Sequence, residues 1–250
     1  TQPAWGEEEY REEHIPGARF LHLDRDLAAP KTGRNGRHPL PSPVAAAATF
    51  GAAGIDADKQ VVVYDQNQGA YAARCWWMLR WLGHDAVAVL DGGWDRWMRE
   101  QRPITDEVRP VVPATFRVRE SLPVVGTDEV LANAARDAAL VLDARSPERF
   151  RGEAEPFDPV AGRVPGAVNR PVARNLARDG TFKPADELRA ELSAMLGSRD
   201  AAQVIPALRQ LLRERALLPV AVKEVAEQKA SASSRNFGIG AKRGLSSADL

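Results

Sequence analysis

A chain of 250 residues is long enough for one large or two ordinary domains, and its 34 Lys plus Arg are balanced by 34 Asp plus Glu. That neutrality gives no general attraction to nucleic acid or an anionic membrane, and no apolar run of about 18 residues is present to cross a bilayer. A single Cys excludes intramolecular disulfides and suits the cytoplasm.

The chain opens on TQPAWGEEEY, with neither a Met nor a secretory leader pattern, so its natural start is expected to lie upstream. Residues 1–13 are polar and read as loop or a short helix. His14-Ile15-Pro16-Gly17-Ala18 reads as a turn entering a short strand, because Pro fixes φ and Gly permits a tight bend. His14 beside that turn is expected to be structural. His22, His38 and His84 have no metal-ligand spacing with one another or with Cys75, so no metal and no cofactor are expected. Residues 27–43 are rich in Pro, Gly and basic side chains and must be loop. Lys31, Arg34, Arg37 and His38 either solvate that loop or draw an anion towards a cleft. Ala-rich residues 44–53 are helical in composition.

The run VVVYDQNQGAYAARCWWMLRWLG, residues 61–83, organises what surrounds it. Three valines favour a buried strand, a polar loop from Asp65 to Gly69 stops it, and a helix follows from Ala72. Cys75, Trp76, Leu79 and Leu82 recur on one stripe of that helix, Gly83 ends it, and residues 86–90 supply a second strand. The loop of such a βαβ unit presents backbone N–H groups and a helix amino terminus to an anion. A Cys in its first position would be an activated thiolate, but the residue is Asp65. Cys75, the only thiol, is on the apolar stripe more than a turn into the helix, so burial is expected to raise its pKa and make it a packing residue. Trp76, Trp77, Trp81, Trp94 and Trp97 likewise read as packing residues. Asp91-Gly92-Gly93 turns into a helix over 94–101, without the glycine spacing of a dinucleotide site.

Pro103, Pro110, Pro113 and Pro123 then mark a linker. Residues 127–136 read as a helix with Thr127 as N-cap, and residues 140–142 as a buried strand ending at Asp143-Ala144-Arg145. Ser146-Pro147-Glu148 starts another helix.

The segments EEHIPGARF (12–20), VVVYDQNQGAYAAR (61–74), VLDGGWDRW (89–97), LVLDARSPERFRG (140–152) and VPGAVN (164–169) together resemble the tandem rhodanese sulfurtransferases, which include the thiosulfate and 3-mercaptopyruvate sulfurtransferases. The resemblance runs from about residue 5 to 200. It implies an α/β fold of two rhodanese-like domains, each a mostly parallel sheet flanked by helices. The expected division is 1–105 for an amino-terminal, non-catalytic domain, 106–123 for the linker, 124–200 for a partial carboxy-terminal domain, and 201–250 for a divergent helix and disordered tail. In the family a D-x-R strand precedes HIPGA, and nothing equivalent precedes His14. The first domain is therefore expected to lack its first strand.

The resemblance also implies roles. Arg149 of Glu148-Arg149-Phe150 corresponds to the Arg that binds the anionic substrate, and its fork of donors suits thiosulfate or a carboxylate. Arg145 is expected to form a structural ion pair. Arg163 replaces a His common in the family, and Phe157 stands where mercaptopyruvate-type members often have a second Arg, which favours the thiosulfate type. The reactive Cys loop is expected near residue 210, where the sequence reads AAQVIPALRQLLRERALLPV. No Cys or Gly-rich loop is present there, Pro206 interrupts the candidate strand Val204-Ile205, and Leu208, Leu211 and Leu212 mark a helix. Residues 229–250 read as a disordered tail.

The implied chemistry is a double displacement in which a Cys takes sulfane sulfur from thiosulfate or 3-mercaptopyruvate and passes it to cyanide or a thiol. Without that Cys this chain is expected to be inactive. The alternative is a non-catalytic binding module with Asp65 and Arg149 lining empty cradles. The expected partners are small anionic sulfur compounds and a thiophilic acceptor, met by a cytoplasmic monomer that binds neither nucleic acid nor membrane.

Overall fold

The computed structural model describes residues 4–33, 35–119, 122–158, 160–200 and 204–206. The helix expected at Leu208, Leu211 and Leu212, the tail over 229–250, and Arg34 of the basic loop lie outside them.

The first polar stretch forms α1 (Trp5–Glu12), which buries no residue. HIPGA does not lead into a strand: His14 forms a single antiparallel bridge with Thr105, and the Ala18 amide turns back to the Ile15 carbonyl at 2.9 Å. Pro16 has no N–H to extend a ladder, and Gly17 at φ +83° redirects the chain. A basic loop then leads to α2 (Pro43–Ala52), where the Ser42 hydroxyl accepts from the Ala45 amide at 3.2 Å and Pro43 fills the first turn.

Next come β1 (Val61–Val63), α3 (Ala72–Trp81) and β2 (Val87–Val89), a βαβ unit whose strands pair in parallel with Val61 opposite Val87 and Val63 opposite Val89. The described first sheet is this pair. Helix α3 is buried on more than the single stripe its spacing predicts, because Trp76, Trp77, Met78 and Leu79 are at most 1% exposed and lie on several faces. Strands cover one side, and α2, the basic loop and a later segment cover the others. Trp77 and Trp81 stack with centroids 5.7 Å apart, and Phe50 of α2 packs on Phe116 at 5.5 Å. Helix α4 (Gly93–Arg99) follows β2.

The Pro-punctuated stretch does not run free. Ala114 donates to the Gly51 carbonyl at 2.8 Å, and Arg119 and Leu122 donate to the Leu82 and Trp81 carbonyls, each at 3.2 Å. Phe116, Leu122 and Val124 pack on the first core as a strap, while the next residue, Val125, is buried in a second core with Val130 and Val141.

That second core is built on β3 (Leu140–Asp143), which follows α5 (Thr127–Arg136) and is buried at every residue. Gly126, and not Thr127, is the N-cap of α5, and the Glu129 carboxylate accepts from the Gly126 amide at 2.9 Å. A glycine can take the cap's backbone shape, and Glu129 supplies the acceptor from inside the helix. Alternation along β3 divides its neighbours. Val141 faces Val125 and Val130, while Leu140 and Leu142 face Leu188 of α7 (Ala185–Leu196). Between them lie α6 (Pro147–Arg151), β4 (Val168–Asn169) and a 3-10 turn, Val172–Asn175. The sheet order is β4-β3-β5, with both neighbours parallel to β3.

Strand β5 (Val204–Pro206) overturns the expectation that Pro206 interrupts the strand Val204-Ile205: Val204, Ile205 and Pro206 lie opposite Leu140, Val141 and Leu142. Pro206 is its last residue, at the edge of the described sheet, where a missing N–H costs least.

Candidate functional site

The loop after β1 takes its shape from one carboxylate. Gln68 at φ +56° and Gly69 at φ +85° fold the chain back over Asp65. Asp65 Oδ1 accepts from the amides of Asn67 and Gly69, both at 2.8 Å, and Oδ2 from those of Tyr71 and Ala72 at 2.7 and 2.8 Å. The amide cradle expected from sequence is present, but it is not empty, because Asp65 fills it from within. Four N–H dipoles and the start of α3 all meet negative charge there. The β2–α4 turn closes on the same loop: Trp94 donates to the Asp65 carbonyl at 3.1 Å, and a Cβ on Gly93 would stand 2.8 Å from that oxygen.

Arg149, on α6, is not free either. Its Nη2 lies 2.7 Å from Glu155 Oε1 and 3.1 Å from Asp158 Oδ2. Arg145 forms the expected ion pair, reaching Asp143 at 2.5 Å, and also touches Glu155 at 3.3 Å and the Gly162 carbonyl at 2.8 Å. Burial raises the pKa of Glu155, but the hydrogen bonds from Arg149 and the Asp158 and Phe157 amides outweigh it and hold the carboxyl below its usual range. Arg37 crosses from the basic loop to Asp158 at 3.3 Å. Its guanidinium and that of Arg149 lie 4.6 and 5.1 Å from the centroid of the Phe157 ring. Phe157, which the resemblance sets in place of a second Arg, thus lies within cation–π reach of two guanidiniums. Arg163 covers the Phe150 ring at 4.7 Å.

Cys75 is buried in α3, and burial pushes its thiol up to about 12, with Arg74 opposing weakly. No hydrogen bond or ion pair joins Asp65 to Arg149. His14 is buried, stacked on Tyr10 at 4.1 Å, with Nδ1 2.7 Å from the Tyr10 carbonyl. Sequence reasoning passed over Arg74, which is 6% exposed and donates to the Leu27 carbonyl at 2.7 and 2.9 Å, tying the basic loop to α3. It also passed over Glu155 and Asp158, although acidic residues six and nine positions after Arg149 were the available signal.

The rhodanese-like domain family matches residues 6–100. A probable 3-mercaptopyruvate sulfurtransferase of Pseudomonas aeruginosa is 41% identical over 206 residues, covering 81% of this chain and 72% of the relative. A putative thiosulfate sulfurtransferase of Mycobacterium tuberculosis is 41% identical over 191 residues, covering 75% of this chain and 67% of the relative. The crystal structure of a 3-mercaptopyruvate sulfotransferase from Escherichia coli superposes with a TM-score of 0.70 at 28% identity, covering 90% of this chain and 81% of that one. With these motifs, this parallel βαβ unit and this extent of identity, the chain belongs to the rhodanese family of sulfurtransferases.

Proposed function

We propose that this chain has the framework of a rhodanese sulfurtransferase and binds small anionic sulfur compounds, but does not turn them over with the residues it carries. One observation carries the reading: the only Cys is Cys75, 7% exposed, with its thiol pushed up to about 12. Double displacement needs a thiolate that attacks the sulfane sulfur of thiosulfate or 3-mercaptopyruvate, releases sulfite or pyruvate, and yields its persulfide to cyanide or a thiol. A buried thiol held protonated supplies no such nucleophile. Loss of the nucleophile in covalent enzymes costs on the order of a million-fold.

Arg149 is the residue we assign to the anionic donor. Supporting this, its second carboxylate partner, Asp158, is also shared with Arg37, so two guanidiniums already converge on one small anionic group. A donor anion taking the place of Asp158 would meet both. The purified protein, given thiosulfate and cyanide, is expected to form no thiocyanate above background, while calorimetry detects thiosulfate binding that weakens at least tenfold in Arg149→Gln. Turnover by the wild type overturns the claim of inactivity. Binding indifferent to Arg149 overturns the assignment.

A further inference from the structure

At the amino ends of β1 and β2, across the first sheet from the Asp65 loop, lies a cavity of about 140 Å³. Its wall is the turn between α3 and β2 together with the strap. Gly83, at φ +81°, ends α3, and the His84 amide returns to the Leu79 carbonyl at 2.9 Å. Opposite them the strap brings Phe116, Arg117 and Arg119 to the cavity.

Two observations there point to an anion, beside a buried histidine that can report on it. His84 lines the cavity, is 6% exposed and rests against Phe116 at 5.8 Å, yet its Nε2 is buried with no hydrogen-bond partner. Such orphaned nitrogens are rare in folded proteins, because the lost hydration is not repaid. Arg117 and Arg119 are exposed, and no carboxylate pairs with either among the described residues. The one carboxylate on the wall, Asp85, is already held by Arg80. Two permanent positive charges therefore border a space whose one described carboxylate, Asp85, is engaged by Arg80. At about 30 Å³ per water the space holds four or five waters, enough for a tetrahedral oxyanion and too little for a nucleotide.

The geometry points to a small-oxyanion site here, independent of the sulfur-transfer reading, that takes inorganic phosphate or sulfate between Arg117 and Arg119 and beside His84. Guanidinium forks match the paired oxygens of either ion. The test is an NMR titration of the full chain at pH 7 with sodium phosphate and, separately, sodium sulfate, at constant ionic strength against sodium chloride. The His84 ring nitrogens are expected to shift saturably with at least one of the two anions, the tighter arm identifying the ligand. That response should survive in Arg149→Gln, which separates it from the donor site. In the double variant Arg117→Gln/Arg119→Gln, binding should weaken at least tenfold while the thermal unfolding midpoint stays unchanged, since both side chains are exposed. A response no different from that to chloride, or one the double variant leaves intact, overturns the proposal.

Discussion

Replacing Asp65 by Ala removes the acceptor of four amide hydrogen bonds of 2.7 to 2.8 Å while leaving the backbone sequence otherwise unchanged. Two of the four, from Tyr71 and Ala72, cap α3, and losing a cap costs about 1 kcal/mol. Losing the negative charge at that helix end removes about 0.5 kcal/mol more. The Asn67 and Gly69 amides are charge-assisted donors worth about 1.5 kcal/mol each when buried, but this loop is partly open to water, so about half of that is recovered. The sum is about 3 kcal/mol. Asp65→Asn keeps one acceptor oxygen but turns an NH₂ towards two N–H donors, so it should cost about half as much. Denaturant unfolding followed by tryptophan fluorescence reads these losses, since Trp76, Trp77 and Trp81 share the core that α3 enters. In Asp65→Ala the emptied cradle should also admit sulfate, raising stability by about 1.4 kcal/mol at ten times its Kd, while the wild type gains nothing at that loop. An Asp65→Ala protein within about 0.5 kcal/mol of wild type, with no sulfate response beyond the wild type's, would refute the account of the cradle as self-filled.

Cys75, with its thiol near 12, should be about one part in ten thousand thiolate at pH 8, against roughly a quarter for a free thiol of ordinary pKa. Its modification by an aromatic disulfide reagent should be at least about a thousandfold slower than that of free cysteine and should become fast in denaturant; native reactivity like that of the free amino acid would place the thiol wrongly. Glu155 sets an acid limit. Its folded pKa lies below the ordinary carboxyl value, so its contribution is complete above the unfolded pKa of about 4.3 and disappears as pH falls through the lower folded value. Stability measured from pH 6 downward should therefore fall below about pH 4.5, and Glu155→Gln should lessen that slope; an unchanged slope in the variant would remove Glu155 from the cause.

The βαβ unit was legible because its evidence is local. Three valines, a polar loop, an apolar-spaced helix and a second valine-rich run each point to the same structure, and Asp65 could be placed at the head of the loop by counting. What was not legible depends on partners distant in sequence. Nothing in the residues around Arg74 shows that the Leu27 carbonyl, 47 positions earlier, awaits its guanidinium. Arg149 was found by resemblance, but its use depends on Glu155 and on Asp158, which also holds Arg37 from 121 positions away, the difference between 158 and 37. Pro206 defeats the expectation because a proline is tolerated in a strand at the edge of the described sheet, whereas in an interior strand its missing N–H breaks the ladder. The strand expected after His14 failed for a related reason: Pro16 and Gly17 favour a turn, and a turn alone does not specify a ladder to follow it.

Val124 and Val125 are joined by one peptide bond, yet they plug different cores. The seam between the halves therefore has no clean place for scissors. A cut near residue 105 would pull the cover off Phe50 and Trp81, and a cut after Leu122 would still orphan Val124 from the wall it seals. A protease nick or a grafting experiment in this stretch should leave both fragments sticky, and a first half transplanted elsewhere must bring its own roof.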